Sequence, residues 1–151
     1  MRIPSLLHYF TIMTAKLNPY LNFNGDTKEA MEFYKSVLGG DLTMQTMGES
    51  GMPVADEYKD QIIHAQLTSG DIILMASDTA DHGKADFGTS VHLSLVGSDE
   101  KELNEIFNKL AEGGKVDMPL QKQFWGDTFG MLTDKYNIHW MINISAGQST
   151  Q

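Results

Sequence analysis

The chain has 151 residues, no cysteine, and a formal net charge of −9 from 11 basic and 20 acidic side chains. That length suits one domain, or two small repeated halves sharing a core, and 41% hydrophobic residues can build such a core. Disulfides, thiolate metal sites and cysteine nucleophiles are excluded. Without a Lys/Arg cluster, no nucleic-acid or anionic-membrane partner is expected.

The first dozen residues, MRIPSLLHYFTI, form a short apolar run behind Arg2. A signal peptide has a longer apolar core and a small-residue cleavage site, and a membrane helix needs roughly 20 apolar residues. Residues 1–15 therefore read as an N-terminal extension without a function, Met13 offers an alternative start, and the expected compartment is the cytoplasm. Leu17–Phe23 alternates as a strand, with Leu17, Leu21 and Phe23 opposed to Asn18, Tyr20 and Asn22. Gly25 breaks it. Asp26 is placed to cap a helix, with Glu29 in capping-box spacing. Ala30, Phe33, Tyr34, Val37 and Leu38 then form a helical stripe, and Gly39-Gly40 ends it.

Strands are predicted over Asp41–Met47, Gln61–Thr68 and Asp71–Ser77, the last two joined by a tight turn at Ser69-Gly70. Gly48–Asp60 is a loop, and Thr79–Gly88 reads as a linker. The same unit then recurs. Val91–Val96 alternates as a strand; Asp99 and Glu102 repeat the capping spacing at an offset of 73. Leu103, Ile106, Phe107, Leu110 and Ala111 repeat the stripe, and Gly113-Gly114 repeat the stop. Strands follow at about Val116–Gln121, Phe129–Thr133 and Ile138–Ile144. In the last of these, Ile138, Trp140, Ile142 and Ile144 face one way and His139, Met141 and Asn143 the other, like the wall of a cavity. The expected plan is βαβββ twice, modules about 16–78 and 88–145 within one domain over 16–145, with a tail at 146–151.

These residues resemble the vicinal oxygen chelate superfamily of glyoxalases, bleomycin resistance proteins and dioxygenases. The likeness is strongest to its PhnB-like branch, through Leu17-Asn-Pro-Tyr-Leu-Asn-Phe23, Glu29-Ala-Met-Glu-Phe-Tyr34, Gly39-Gly40, His64-Ala, Phe124-Trp-Gly-Asp-Thr-Phe-Gly130 and Trp140-Met141. The resemblance implies an α+β fold in which two βαβββ modules form a curved mixed sheet around a central cup, with the helices outside. It also implies a homodimer whose cavities a partner copy helps to complete. One departure is the last turn, Asp134-Lys-Tyr-Asn137, where such proteins often carry Asp-Pro-x-Gly. Some relatives bear a demethylubiquinone methyltransferase label. A methyl donor bound in the Rossmann manner needs a Gly-rich loop between strand and helix, and the Gly pairs here follow helices.

In metal-bearing relatives four ligands lie on the cavity faces of the first and last strands of each module. The resemblance carries those positions to Asn18, Met75, His92 and Met141. Mn²⁺, Fe²⁺, Ni²⁺ and Zn²⁺ favour imidazole and carboxylate, whereas thioether is soft and suits Cu(I). The usual metal site is therefore read as lost, and no cofactor is expected. The expected function is metal-independent binding of an apolar or aromatic small molecule by Asn18, Tyr20, His64, Met75, His92, Trp125, His139 and Met141. The alternative is a metal-dependent lyase, isomerase or dioxygenase whose divalent metal sits on a non-standard site of His92, His64 and His139. Phe129 is read as core, and Asp127 as the nearest carboxylate to the cup, with a loop-fixing role at least as good an account of it.

Overall fold

The computed structural model describes residues 13–147. Most of the expected N-terminal extension and of the C-terminal tail lies outside the described residues. The first module is β1 (Tyr20–Phe23), α1 (Thr27–Leu38), β2 (Asp41–Thr46), β3 (Ile62–Ser69) and β4 (Ile72–Asp78). The second is β5 (Leu93–Gly97), α2 (Glu100–Ala111), β6 (Lys115–Lys122), β7 (Thr128–Thr133) and β8 (His139–Ile144). This is βαβββ used twice. The strands divide into two four-stranded sheets, ordered β1-β4-β3-β2 and β5-β8-β7-β6. In each, the first and last strands of the module run parallel and the other neighbours antiparallel.

Period-two alternation decides which face of each sheet is covered. Leu74 and Ala76 on β4, Ala65 and Leu67 on β3, Leu132 on β7, and Trp140 and Ile142 on β8 are all buried. They share one core with Phe23, the α1 residues Ala30, Met31, Tyr34 and Val37, and the α2 residues Leu103, Phe107 and Leu110. Each such Leu, Ile or Phe taken out of water contributes about 1.5–3 kcal/mol, so the shared core binds the modules to each other as well as each helix to its sheet. The opposite face of each sheet is open.

The repeat extends to the helix stops. A side chain at Gly40 would run into the carbonyl oxygen of Thr68, and one at Gly114 into that of Thr133. Each glycine follows its helix and lets the chain pass close over the end of the neighbouring hairpin.

The two helix starts differ. Asp99 caps α2 as expected, accepting from the Glu102 backbone N at 3.1 Å. Asp26 does not cap α1 through its side chain. Asp78, at the end of β4, reaches across instead. Its Oδ1 accepts from Gly25 N at 2.9 Å, Thr27 N at 3.1 Å and the Thr27 hydroxyl at 2.8 Å, and its Oδ2 from Ile62 N at 2.8 Å. The position aligned with Asp78 in the second module is Ile144, since Phe23 pairs with Asp78 as Gly97 pairs with Ile144. The N-cap reading therefore holds for Asp99 and is corrected for Asp26.

Three further expectations are corrected. The first strand starts at Tyr20, not Leu17; Pro19, lacking an N–H, precedes it, and Leu17 is 99% exposed. The fifth starts at Leu93 rather than Val91. In the β3–β4 hairpin Ser69 pairs with Ile72, so the turn is Gly70-Asp71, with Gly70 at φ 56°. That moves the register by two residues. The Ser69-Gly70 turn would have set His64 opposite Met75; Gln66 stands there instead, but a slip of two leaves every side chain on its expected face.

Candidate functional site

The open face of the first sheet is mostly neutral and polar. Tyr20, Met75 and Gln66 form one row across β1, β4 and β3. His64 lies on the same face, with the Tyr20 hydroxyl 3.1 Å from its Nδ1 and the rings 5.7 Å apart. Four of the expected residues thus fall on or beside this sheet: Asn18 just before β1, then Tyr20, His64 and Met75.

The open face of the second sheet carries Met141 and the two remaining expected imidazoles. His139, Met141 and Asn143 project from β8, with Ser94 beside Met141. The rings of His92 and His139 are 5.2 Å apart. His139 is tied at both nitrogens. Its Nε2 donates to the Gly88 carbonyl at 2.9 Å, which pins the linker between the modules to β8. Its Nδ1 is 2.8 Å from the Thr133 hydroxyl, which in turn lies 2.7 Å from Asp117 Oδ2. Thr133 has one hydroxyl proton, so it serves either Asp117 or His139. Sequence reading missed Thr133, Asp117 and Gly88. The Thr133–His139 pairing in the β7–β8 hairpin was the available signal. Asp117 is the unpaired residue at an irregularity in the β6–β7 register, between Val116 and Met118, that alternation does not show.

The loop Gln123–Asp127 presents two aromatics at the same sheet. Phe124 is 97% exposed and Trp125 50%. Their rings meet edge-on at 4.9 Å, and Trp125 lies 6.2 Å from Phe129. Phe129 is on the open face, opposite Asn143 and Gln121, rather than in the core; the core-facing position beside it is Gly130. Asp127 fixes this loop. It accepts from Asn143 Nδ2 at 2.9 Å and from Ala146 N at 3.0 Å. Those bonds, the Asn143 one foremost, hold its carboxyl below the usual carboxylate range.

A cavity of about 480 Å³ lies between the modules. Asn18 and Ile73 line it from the first module, His92, Ser94 and Trp140 from the second. Of the eight expected site residues it brings together Asn18 and His92. The others stay in their own groups: Tyr20, His64 and Met75 on one sheet, His139 and Met141 on the other, Trp125 on its loop.

The four positions matching the ligands of metal-bearing relatives offer an amide, two thioethers and one imidazole. That donor set does not fit a hard divalent metal. Among the described residues no three His, Asp or Glu side chains converge to hold a metal. His64 stands with Tyr20, apart from the His92–His139 pair. No helix of the described residues is long and apolar enough to cross a membrane.

Comparison with known proteins agrees with this architecture. Protein YjdN of Escherichia coli (strain K12) is 33% identical over 146 residues, covering 89% of this chain and 99% of that protein. The crystal structure of PA1353 from Pseudomonas aeruginosa is 41% identical with a TM-score of 0.80, covering 87% of this chain and 98% of that one. A PhnB protein from Bacillus cereus, named for a 3-demethylubiquinone-9 3-methyltransferase, is 27% identical with a TM-score of 0.71, covering 87% and 100%. Residues 16–142 match the family described as the Glyoxalase/Bleomycin resistance protein/Dioxygenase superfamily. Two βαβββ modules, each closed by a parallel first and last strand, and the similarity over nearly the whole described chain make this protein a member of that superfamily, with PhnB-like proteins among its structural neighbours.

Proposed function

We propose that the protein is a cytoplasmic homodimer that binds an apolar or aromatic small molecule without a divalent metal. The observation that carries this reading is the donor set at Asn18, Met75, His92 and Met141. Two thioethers stand where a hard Lewis-acid site needs carboxylate or imidazole. The open faces supply what apolar recognition needs instead. Tyr20, Trp125 and Phe129 offer flat rings, Met75 and Met141 adaptable apolar surface, and Asn18, His64 and Gln66 a few polar anchors. The second copy is argued from the edges. β1 and β5 are edge strands, and Leu17, Val91 and Val96 beside or on them are exposed apolar residues. A partner copy set against these edges would turn two open faces into one cup. The methyltransferase named for the Bacillus cereus relative finds no support, because each strand-to-helix junction here carries a single glycine rather than a Gly-rich loop.

The alternative of a histidine-rich metal enzyme is favoured by one observation, the 5.2 Å approach of His92 and His139. Against it, both His139 nitrogens are already engaged. A test uses Nile red, a neutral aromatic dye, titrated into protein stripped of metal with EDTA. Saturable binding that weakens in Trp125→Ala and is unchanged by added Mn²⁺ or Zn²⁺ supports the proposal. Binding that appears only with the metal sinks it.

A further inference from the structure

Three methionines form a line on the open face of the second sheet. Met118 on β6 stands opposite Met131 on β7, and Met131 opposite Met141 on β8. Ser94 on β5 closes the row beside Met141. Directly opposed residues place their Cβ atoms about 4.5–5.5 Å apart, and the β6–β7 register shifts on both sides of Met118. Two of methionine's rotatable bonds, Cα–Cβ and Cβ–Cγ, set the position of its sulfur, so the outer two side chains can lean toward the middle one above β7.

These sulfurs are not core filling. The buried methionines among the described residues are elsewhere: Met31 on α1 is 0% exposed and Met47 after β2 is 8% exposed, whereas Met118 is 39% exposed and Met131 and Met141 are half-buried. The inward positions of β7 and β8 are taken by Gly130, Leu132, Trp140 and Ile142. No carboxylate stands in the row; Asp117, on the strand that carries Met118, is engaged by Thr133 and lies 3.7 Å from the Lys115 ammonium. A ligand set of neutral, polarisable sulfurs holds hard divalent ions poorly and soft monovalent ions well. The chain's formal charge of −9 favours the approach of any cation.

We infer that Met118, Met131 and Met141 form a thioether site for a soft monovalent cation, Cu(I) or its analogue Ag(I). The three sulfurs are the ligands. The site overlaps the positions matched to the ligands of metal-bearing relatives at Met141 alone. It also stands apart from the apolar-ligand reading, because leucine at these positions keeps the apolar surface and removes the donor.

The test titrates Cu(I) into the untagged full chain under anaerobic conditions, in competition with bicinchoninate. Wild-type protein draws one copper per chain from the competitor. Met131→Leu and Met141→Leu, which nearly conserve side-chain volume, keep the wild-type thermal midpoint and bind about 10- to 100-fold more weakly, the loss typical when even an outer partner of a metal site is removed. Met118→Leu follows the same direction, and Met52→Leu, on the β2–β3 loop, binds as wild type. Copper left with the competitor by the wild type overturns the inference. So does copper retained in full by both Met131→Leu and Met141→Leu, and so does a loss confined to His92→Ala, which would place the ion on imidazole.

Discussion

The Tyr34 hydroxyl donates to Asp134 Oδ2 at 2.7 Å, joining α1 of the first module to the β7–β8 turn of the second. The carboxylate is buried and takes three more donors: Trp140 Nε1 at 2.8 Å, Tyr136 N at 2.8 Å and Ile138 N at 3.1 Å. A buried carboxylate is tolerated only when it is satisfied in this way. It fixes this turn through the Tyr136 and Ile138 amides, and it ties the modules together by a polar contact inside an apolar core. Asp134→Ala leaves four donors facing a void and is expected to cost about 3–4 kcal/mol. Tyr34→Phe removes one donor of four and is expected to cost about 1–2 kcal/mol. Urea unfolding of both variants checks the order; equal losses would show that the three donors other than Tyr34 add nothing to stability.

Alkaline pH should weaken the fold through two tyrosines. Burial first, then the Asp134 charge and its hydrogen bond, raises the Tyr34 hydroxyl far above the usual tyrosine range. Burial and the nearby Glu29, Asp26, Asp134 and Glu32 push Tyr136 up to about 12. In the unfolded chain both titrate near about 10. The folded state therefore holds protons that the unfolded state releases, and this contribution is complete below pH 10 and is lost as the pH rises above it. For Tyr136 the loss runs across about pH 10 to 12. An ultraviolet phenolate titration should show these two groups ionising late. A wild-type chain whose tyrosines all ionise together while still folded would contradict this.

The unequal helix caps make a paired prediction. Asp78→Ala removes the acceptor for four donors and is expected to cost about 2–4 kcal/mol. Asp99→Ala removes one ordinary N-cap, worth about 1 kcal/mol. Asp26→Ala should change stability by less than about 0.5 kcal/mol, as for a surface position without a partner. Thermal or urea midpoints rank the three; a loss at Asp26 matching that at Asp78 would restore the capping-box reading of α1.

Asp127 should matter for the aromatic loop rather than for the fold. Its carboxyl sits below the usual range, so the stabilisation it gives is present above an ordinary aspartate value of about 3.9 and is lost as pH falls through its lower folded value. Asp127→Ala should speed amide exchange at Gly126 and Ala146 and shift Trp125 emission, with little change in global unfolding. Unchanged exchange at both amides would remove Asp127 from the account of how Phe124 and Trp125 are presented.

Much of this was legible in the residues. The repeat from Asp26 to Asp99, the helical stripes, and the alternation of Ile138–Ile144 set the module plan and the faces of the strands, because periodicity is local. The faces survived even the two-residue register slip at Gly70-Asp71. What escaped was long-range. Nothing near Asp78 or Asp134 shows that one caps a helix from a strand end and the other accepts a phenol from the opposite module. Phe129 was misplaced because a short apolar run does not say which side of a sheet its residues take. The grouping of site residues depends on how the two sheets face, and no spacing within one chain encodes that.

Elemental mass spectrometry of untagged protein beside His92→Ala shows whether the cup works without a hard metal. Trace Mn, Fe, Ni and Zn are expected, at the same level in both proteins. Near-stoichiometric amounts of any of these four in the wild type, falling in the variant, would contradict this and make a metal-dependent enzyme the working description.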